Sequence, residues 1–418
     1  MRSLLIRNGR VIDPSTGEDA VRDLWIVNGL VADGDSHPDH ASERLDADGL
    51  LVMPGFVDIH VHLREPGNES AETLASGCAA ALAGGFTSIV AMPNTTPPLD
   101  SPAIVREVLA RANGLAGPRV YAMVAVTRGR QGNNLTDIEA LAAVPGVVGF
   151  TDDGNGVEDD SICRAALERL AAVRLPLAEH CEVRRLSRGA SLHPDYPPEA
   201  ETTMVERDIR LADETGARVH LQHLSAARSV EIVRGARKRG VPVSAEVTPH
   251  HLALTCEDAL RGGADFKMNP PLRTEADRRS LIAGLADGTI DCVASDHAPH
   301  TPESKSRPLT EAPFGVIGLE TAAAVVWTWL IAEGHQPERM LPMWMSTAPS
   351  RVIGIAGGTL APGSRGDVTL FDPTVRWVPD PSRFRSLSRN CPFAGRTLTG
   401  RVAATVVAGE VRYRGDFR

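Results

Sequence analysis

The chain has 418 residues, of which 42% are hydrophobic and 23% charged, and this composition is typical of a globular protein with a sizeable core. A formal net charge of −9 argues against nucleic acid or an anionic membrane as a partner, because both attract basic surfaces. The first residues contain no long apolar segment and the six cysteines are scattered, so we expect no signal peptide and reduced thiols in a cytoplasmic protein.

Both ends of the chain have the character of β structure. The first fifty residues alternate short β-prone segments with turns, and Asn28-Gly29 is a strong hairpin signal. The last fifty residues show the same alternation. We therefore predict one small β-sandwich domain that is formed by both termini, from residues 1–52 and 365–418.

The middle of the chain repeats a strand followed by a helix eight times. The predicted strands are apolar and β-branched, and they cover residues 56–62, 87–92, 119–126, 147–153, 176–180, 218–223, 243–247 and 290–296. This alternation predicts a parallel sheet, and eight units fit a (β/α)8 barrel over residues 53–364, a fold that typically takes ~250 residues. No GxGxxG motif follows the first strand, which argues against a doubly wound sheet.

Side chains that can bind metal occur at the ends of five predicted strands. They are His60, His62, Asp153, His180, His223 and Asp296. The carboxyl ends of barrel strands meet on one face, so we expect these residues to share a cleft. A lone HxH pair is weak evidence, but four imidazoles and two carboxylates together can hold one or two Zn2+ ions with positions left for water.

A series of motifs runs through the chain in a fixed order. They are DIHVHLREPG (58–67), GGFTSIVAMPNTTP (84–97), FTDDG (150–154), AEHC (178–181), HLQHLS (220–225), EVTPHHLALT (246–255), FKMNPPLR (266–273), ASDHAPH (294–300) and APFGVIGLET (312–321). Together they resemble the dihydroorotases of the bacterial class I type, a family of the amidohydrolase superfamily. The resemblance extends over essentially the whole chain.

The resemblance implies a role for each metal-capable residue. His60, His62 and Asp296 would hold one zinc ion, His180 and His223 a second, and Asp153 would bridge the two. Many amidohydrolases use a carboxylated lysine as the bridge instead. The lysines of this chain are Lys238, Lys267 and Lys305, and none ends the fourth predicted strand. We therefore expect Asp153 to be the bridge, with Asp152 as the alternative donor.

The resemblance also implies the substrate and the residues that contact it. Arg64, a guanidinium suited to a bidentate grip on a carboxylate, would bind the substrate carboxylate that does not react. The other implied contacts are His62, Asn94, Asn269 and His300, with the backbone of Phe314 and Gly315.

The implied reaction is the reversible, zinc-dependent cyclisation of N-carbamoyl-L-aspartate to L-dihydroorotate in de novo pyrimidine synthesis. In the ring-opening direction, metal-activated hydroxide attacks the ring amide, and Asp296 acts as general acid and base. Ring closure consumes a proton, so we expect it to be favoured at low pH.

Several alternatives stay open on the sequence. Hydantoinases, dihydropyrimidinases and allantoinases open similar rings on the same scaffold, but they normally require the carboxylated lysine. A catalytically inactive partner of aspartate transcarbamoylase would normally have lost zinc ligands. We expect a homodimer, and association with that transcarbamoylase is compatible with an active enzyme. Cys181 is either a zinc-binding thiolate or a small buried residue, and residues 301–313 form either a mobile cover or a static loop.

Overall fold

The computed structural model describes residues 2–34, 37–38 and 40–416 and contains two sheets. The first sheet is built from both ends of the chain. Its strands are β1 (Ser3–Asp13), β2 (Glu18–Val27), β3 (Leu30–Val31), β4 (Glu43–Asp46) and β5 (Leu51–Pro54), followed much later by the three C-terminal strands described below. The predicted terminal domain also includes residues 1, 35, 36, 39, 417 and 418, which lie outside the described residues.

The second sheet is parallel and has eight strands in sequential order. They are β6 (Phe56–Val61), β7 (Phe86–Ala91), β8 (Arg119–Val124), β9 (Val147–Phe150), β10 (Leu177–Glu179), β11 (Val219–Leu221), β12 (Val243–Val247) and β13 (Cys292–Val293). Its two ends meet where Val61 forms a parallel bridge with His297, and the His62 amide donates to the His297 carbonyl at 2.9 Å. This contact joins the first strand to the segment after the last, which confirms the predicted barrel.

The remaining strands return to the first sheet. They are β14 (Val368–Trp377), β15 (Leu398–Val407) and β16 (Glu410–Arg414). Strand β14 pairs antiparallel with β5, and β5 pairs parallel with β1, so the two termini share one continuous sheet as predicted. Asn28 and Gly29 both have positive φ, of 51° and 83°, in the tight turn between β2 and β3.

Helices follow most of the barrel strands and cover the barrel. They are α1 (Leu74–Ala83), α2 (Pro102–Asn113), α3 (Ile138–Ala142), α4 (Asp160–Val173), α5 (Arg184–Ser187), α6 (Glu199–Thr215), α7 (Ala227–Lys238), α8 (Pro249–Ala253), α9 (Cys256–Gly262), α10 (Glu275–Ala286), α11 (Pro302–Lys305), α12 (Ala322–Val326), α13 (Met340–Pro342) and α14 (Ala348–Ile353). Short 3-10 turns lie at Arg128–Arg130, Gly263–Phe266 and Pro381–Arg383, and π-helical turns at Trp327–Ile331 and Met343–Thr347.

The main core packs the outer faces of the barrel strands against these helices. Fully buried side chains such as Ile89 on β7, Leu167 on α4 and Leu221 on β11 belong to it. Burial of such apolar surface is the dominant favourable contribution to folding. Within the described residues, no helix is long and apolar enough to cross a membrane.

Seven of the eight barrel strands end earlier than the sequence pattern predicts, and β12 ends at Val247 as predicted. His60 lies within β6, whereas Asp153, His180, His223 and Asp296 all lie in the turns that follow their strands. Two of these residues, His223 and Asp296, have positive φ values of 32° and 45°. Positive φ is costly for residues other than glycine, and such strain occurs where a functional side chain must be presented in a fixed direction.

Candidate metal centre

The six metal-capable residues meet at the carboxyl ends of the barrel strands, and we call them the metal cluster. On one side of the cluster, His60 Nε2 lies 3.3 Å from Asp153 Oδ1 and 3.5 Å from Asp296 Oδ1. His62 Nε2 lies 3.0 Å from the same Asp296 oxygen. Two histidines and two carboxylates from three strands thus face one small volume.

The other side of the metal cluster contains His180 and His223. His180 Nδ1 lies 2.9 Å from His223 Nε2, and these two nitrogens lie 3.8 Å and 4.0 Å from Asp153 Oδ1. The second oxygen of Asp153 lies 3.7 Å from His62 Nε2. Asp153 therefore stands between the two pairs of histidines, as a bridging ligand would.

The cluster has the properties of a cation site. It contains two groups of three residues, and within each group the ligand atoms all lie within 4.8 Å of one another. The groups are His60, His62 and Asp296, and His60, Asp153 and His223. His60 Nε2 is buried and has no hydrogen-bond partner in the described part of the chain. A buried polar atom normally has a partner, so this nitrogen is suited to a metal ion. Imidazole and carboxylate donors are those that Zn2+ accepts.

The electrostatics of the cluster also favour a bound cation. Burial alone lowers the pKa of His60, but nearby carboxylates outweigh burial and raise that pKa well above its ordinary value. Burial raises the pKa of Asp153 and of Asp296, yet the surrounding histidines lower both below the ordinary value. Burial also lowers the pKa of His223 to about 3, which leaves a neutral imidazole free to bind metal.

Two buried glutamates that the sequence analysis missed orient the cluster histidines. Glu246, on β12, accepts from His60 Nδ1 at 2.7 Å and from the His223 amide at 3.3 Å. Glu182 lies 3.1 Å from His180 Nε2. A carboxylate on the far nitrogen fixes the tautomer and the direction of a metal-binding imidazole. Glu246 belongs to the EVTPHH motif, and this was the sequence feature that could have indicated its role.

Arg130 is a third residue that the sequence analysis missed. Its guanidinium donates to the Asp153 carbonyl oxygen. Arg130 has a positive φ of 57°, in a turn held by Asp152, which accepts from the amides of Val126 and Thr127 at 3.1 Å. Asp152 is thus engaged in shaping a neighbouring loop, and Asp153 is the one of the two that faces the cluster histidines.

The residues expected to bind substrate surround the metal cluster, and we call them the substrate rim. They are Arg64, Asn94, Asn269, His300, Phe314 and Gly315. Arg64 Nε donates to the Pro299 carbonyl at 3.1 Å, and its Nη2 lies 3.4 Å from His300 Nε2. Burial lowers the pKa of Arg64 to about 10 and that of His300 to about 3. In the described residues the guanidinium has no ion-pair partner, which suits it to an incoming anion.

Two asparagines of the substrate rim connect it to the metal cluster. Asn94 accepts from His62 Nδ1 at 2.8 Å and donates to Asp153 Oδ2 at 3.1 Å. Asn269 donates to Glu182 at 3.0 Å and accepts from the Tyr196 hydroxyl at 2.9 Å. Both side chains therefore already have protein partners, which hold them in place beside the cluster.

The backbone expected to contact the substrate ring also forms hydrogen bonds within the protein. The Gly315 amide donates to the Lys267 carbonyl at 2.9 Å, and the Phe314 carbonyl lies 2.7 Å from His300 Nε2. The Gly315 amide is therefore not a free donor in this conformation. The sequence could not indicate this, because the acceptor lies far away in the chain.

Cys181 does not face the metal cluster. Its sulfur lies 3.8 Å from Asp208 Oδ2 and 3.5 Å from the Glu179 carbonyl. Burial raises the pKa of this thiol well above its ordinary value, and the nearby acids raise it further. A buried neutral thiol fits the geometry better than a metal-binding thiolate.

The model of the amidohydrolase family matches residues 51–412, so the barrel and its metal cluster define an amidohydrolase. Curated proteins named dihydroorotase are similar over almost the full length. The one from Pelotomaculum thermopropionicum is 45% identical and the one from Anaeromyxobacter dehalogenans (strain 2CP-1) 44% identical, with at least 98% of each chain covered. The chain belongs to the amidohydrolase family and, within it, to the dihydroorotases.

Solved structures of hydantoinases share the fold. The L-hydantoinase (dihydropyrimidinase) from Arthrobacter aurescens has a TM-score of 0.87 at 28% identity, covering 98% of this chain and 96% of that one. The D-hydantoinase (dihydropyrimidinase) from Thermus sp. has a TM-score of 0.86 at 26% identity, covering 98% and 95%. These similarities agree with an enzyme that acts on cyclic amides.

Proposed function

We propose that this protein is a dihydroorotase that interconverts N-carbamoyl-L-aspartate and L-dihydroorotate in de novo pyrimidine synthesis. The names of its relatives support this function. The observation that carries it is structural: a buried cluster of histidines and carboxylates lies beside Arg64, a buried guanidinium suited to an anion. A ring amide and a free carboxylate on one small substrate match these two features.

The proposed metal ligands are the six residues of the metal cluster. His60, His62 and Asp296 would hold one Zn2+ ion, His180 and His223 a second, and Asp153 would lie between them. When bound, zinc would polarise the ring carbonyl and lower the pKa of water from ~15.7 to roughly 7. The bridge would be Asp153 rather than a carboxylated lysine, since Lys267 Nζ and Lys305 Nζ donate to the carbonyls of Leu309 and Pro313 and Lys238 is exposed on α7.

Asp296 is the proposed general acid and base. Its pKa lies below the ordinary value despite burial, so it is ionised at neutral pH and can accept a proton. In ring opening it would take a proton from the attacking water and deliver it to the ring nitrogen as the C–N bond breaks. His62, 3.0 Å from its Oδ1, would hold the carboxylate in position.

Arg64 is the proposed partner of the substrate carboxylate that does not react. A buried guanidinium binds a carboxylate more strongly than an exposed one does, because water competes less. His300 and Asn94 would complete this part of the substrate rim. Asn269, with the backbone around Phe314 and Gly315, would contact the ring edge.

A hydantoinase-like activity is the second candidate, because the hydantoinases and this chain share the fold. Their substrate rings carry no free carboxylate, so such an activity would give the Arg64 guanidinium no ionic partner. The higher identity to proteins named dihydroorotase also favours the first candidate.

The test is a comparison of ring opening of L-dihydroorotate, hydantoin and allantoin by one preparation whose metal content is measured. We expect L-dihydroorotate to be preferred and activity to require metal. The equilibrium ratio of open to closed product should rise about tenfold per pH unit near neutrality, because ring opening releases a proton. Preference for hydantoin would contradict the proposed function. A homodimer, a cytoplasmic location and association with aspartate transcarbamoylase stay predictions from the sequence.

A further inference from the structure

Two of the three lysines of this chain are buried at the substrate rim, where the mechanism above does not use them. Lys267 is 2% exposed and Lys305 is 7% exposed. Lysine is rarely buried, because transfer of an ammonium group out of water is costly unless it gains partners. The exposed residues 306–308 directly follow Lys305, so its burial is not a general property of this segment.

Both ammonium groups donate to backbone carbonyls of residues 309–315, the segment that includes Phe314 and Gly315. Lys305 Nζ donates to the Pro313 carbonyl at 3.0 Å and to the Lys267 carbonyl at 3.3 Å. Lys267 Nζ donates to the Leu309 carbonyl at 2.6 Å. Lys267 is thereby tied to residues 305–313, which lie far from it in the chain.

Lys267 also contacts the substrate rim directly. Its Nζ lies 4.4 Å from the centre of the Phe314 ring, within the range of a cation–π interaction. Its carbonyl oxygen accepts from the Gly315 amide at 2.9 Å. Since Asn269 follows Lys267 by two residues, the lysine joins the two parts of the rim that are expected to contact the ring.

The backbone on either side of residues 301–314 is held by a different residue, Asn390. Asn390 donates to the carbonyls of Ala298 at 3.1 Å and Gly315 at 3.0 Å, and it accepts from the His300 amide at 3.3 Å. Asn390 therefore fixes residues 298–300 and 315, whereas the lysines fix the part between them. The two sets of contacts are separable by mutation.

We propose that Lys267 and Lys305 are positioning residues for substrate, which hold residues 309–315 in place so that Phe314 and Gly315 meet the ring. This inference rests on the proposed function. It assigns the lysines to substrate affinity and not to metal binding, because their ammonium groups contact the segment and none of the cluster side chains.

The test uses Lys305→Met, which keeps the length of the side chain but removes its donors. We expect KM for L-dihydroorotate to rise about tenfold, with kcat and the zinc content changed less than about twofold. Lys305→Arg, which keeps a cation and donors, should recover part of the affinity. Lys238→Met, on the exposed surface of α7, is the matched control and should leave KM unchanged.

A second measurement needs no variant, so it stands even if Lys305→Met does not fold. The wild-type protein is treated with acetic anhydride, and acetylation of its three lysines is followed by mass spectrometry. We expect Lys238 to react quickly, Lys267 and Lys305 slowly, and L-dihydroorotate to slow those two further. An unchanged KM in Lys305→Met, or equal acetylation rates of all three lysines, overturns this inference but leaves the proposed function intact. Absence of ring opening by the wild type overturns the proposed function as well.

Discussion

In the metal cluster, one histidine lies within strand β6 and the other side chains stand in turns directly after barrel strands; in the substrate rim, the side chains come from longer loops. The cluster histidines are oriented by buried carboxylates, such as Glu246 on His60. Several rim residues are held through backbone carbonyls, as when Arg64 Nε donates to the Pro299 carbonyl. The supports of the two regions are therefore largely separate.

Because the two regions are held by different contacts, metal binding and substrate affinity should respond to different mutations. A change in the metal cluster alters the charges and ligands at the reacting bond, so it should act on kcat and on metal content. A change in the rim alters only contacts to the substrate, so it should act on KM or on kcat/KM with the metal retained. Asn94 and Asn269, which touch both regions, are the expected exceptions.

The largest expected effect is that of Asp296→Asn. The amide has nearly the same shape but cannot accept a proton, so kcat should fall by about 10²–10⁴-fold. Steady-state kinetics with L-dihydroorotate and metal analysis of the same sample measure this. Asp287→Asn, on the surface where the carboxylate pairs with Arg234, is the control and should be fully active. Near-wild-type kcat in Asp296→Asn would remove this residue from the mechanism.

The next effect is that of Glu246→Gln on metal affinity. Glu246 accepts from His60 Nδ1, and burial is outweighed by the nearby histidines so that its pKa is lowered to about 2. Loss of this charge should weaken zinc binding by about 10–100-fold, measured by competition with a chelator. Glu231→Gln, an exposed residue paired with Arg228, should bind zinc normally. Unchanged affinity would contradict an orienting role for Glu246.

A smaller effect is expected for Arg64→Ala. Loss of one charged hydrogen-bond partner costs about 1.5–3 kcal/mol, so kcat/KM should fall by about 10–100-fold with an increase in KM. The zinc content should stay at the wild-type value, which separates the substrate rim from the metal cluster. Arg261→Ala, on an exposed turn of α9, serves as the control. If Arg64→Ala instead lost zinc, the division into two regions would be wrong.

The smallest effect concerns Glu320, which supports the chain segment that leads to Asn390. Burial raises the pKa of Glu320 to about 7, although its carboxylate accepts from the amides of Arg385 and Ser386 at 2.8 Å and 3.1 Å. The folded state therefore binds a proton more readily than the unfolded state does. This stabilising contribution is complete below the unfolded pKa, near 4.5, and is lost as pH rises through about 7.

Glu320→Gln should consequently flatten the pH dependence of unfolding between pH 4.5 and 7. The variant should be more stable than the wild type at pH 8, by on the order of 1–2 kcal/mol, and about equally stable at pH 4.5. Denaturant unfolding at several pH values measures this difference. Glu333→Gln, exposed on the surface, should keep the wild-type pH profile. If the pH profile of Glu320→Gln ran parallel to that of the wild type, the Glu320 carboxyl would be ionised over the whole range from pH 4.5 to 7.

The sequence predicted the position of all eight barrel strands because each is a short apolar, β-branched run between turn residues. It did not predict where most of the strands end, because the last hydrogen bond of a parallel strand depends on its neighbour. Strand β13, predicted over seven residues, has only Cys292 and Val293 in the ladder. Asp296 therefore stands in a turn with positive φ, which no local pattern indicated.

The sequence by itself determined which residue types are available for chemistry, because imidazoles, carboxylates and one arginine recur at the boundaries of apolar runs. Only the tertiary structure decided which atoms meet. Glu246 and His60 are 186 positions apart and form a 2.7 Å contact, and Lys305 is buried within an otherwise exposed segment. The physical reason is that an isolated glutamate or lysine carries no signal of its partner, since burial and hydrogen bonding arise from packing between distant segments.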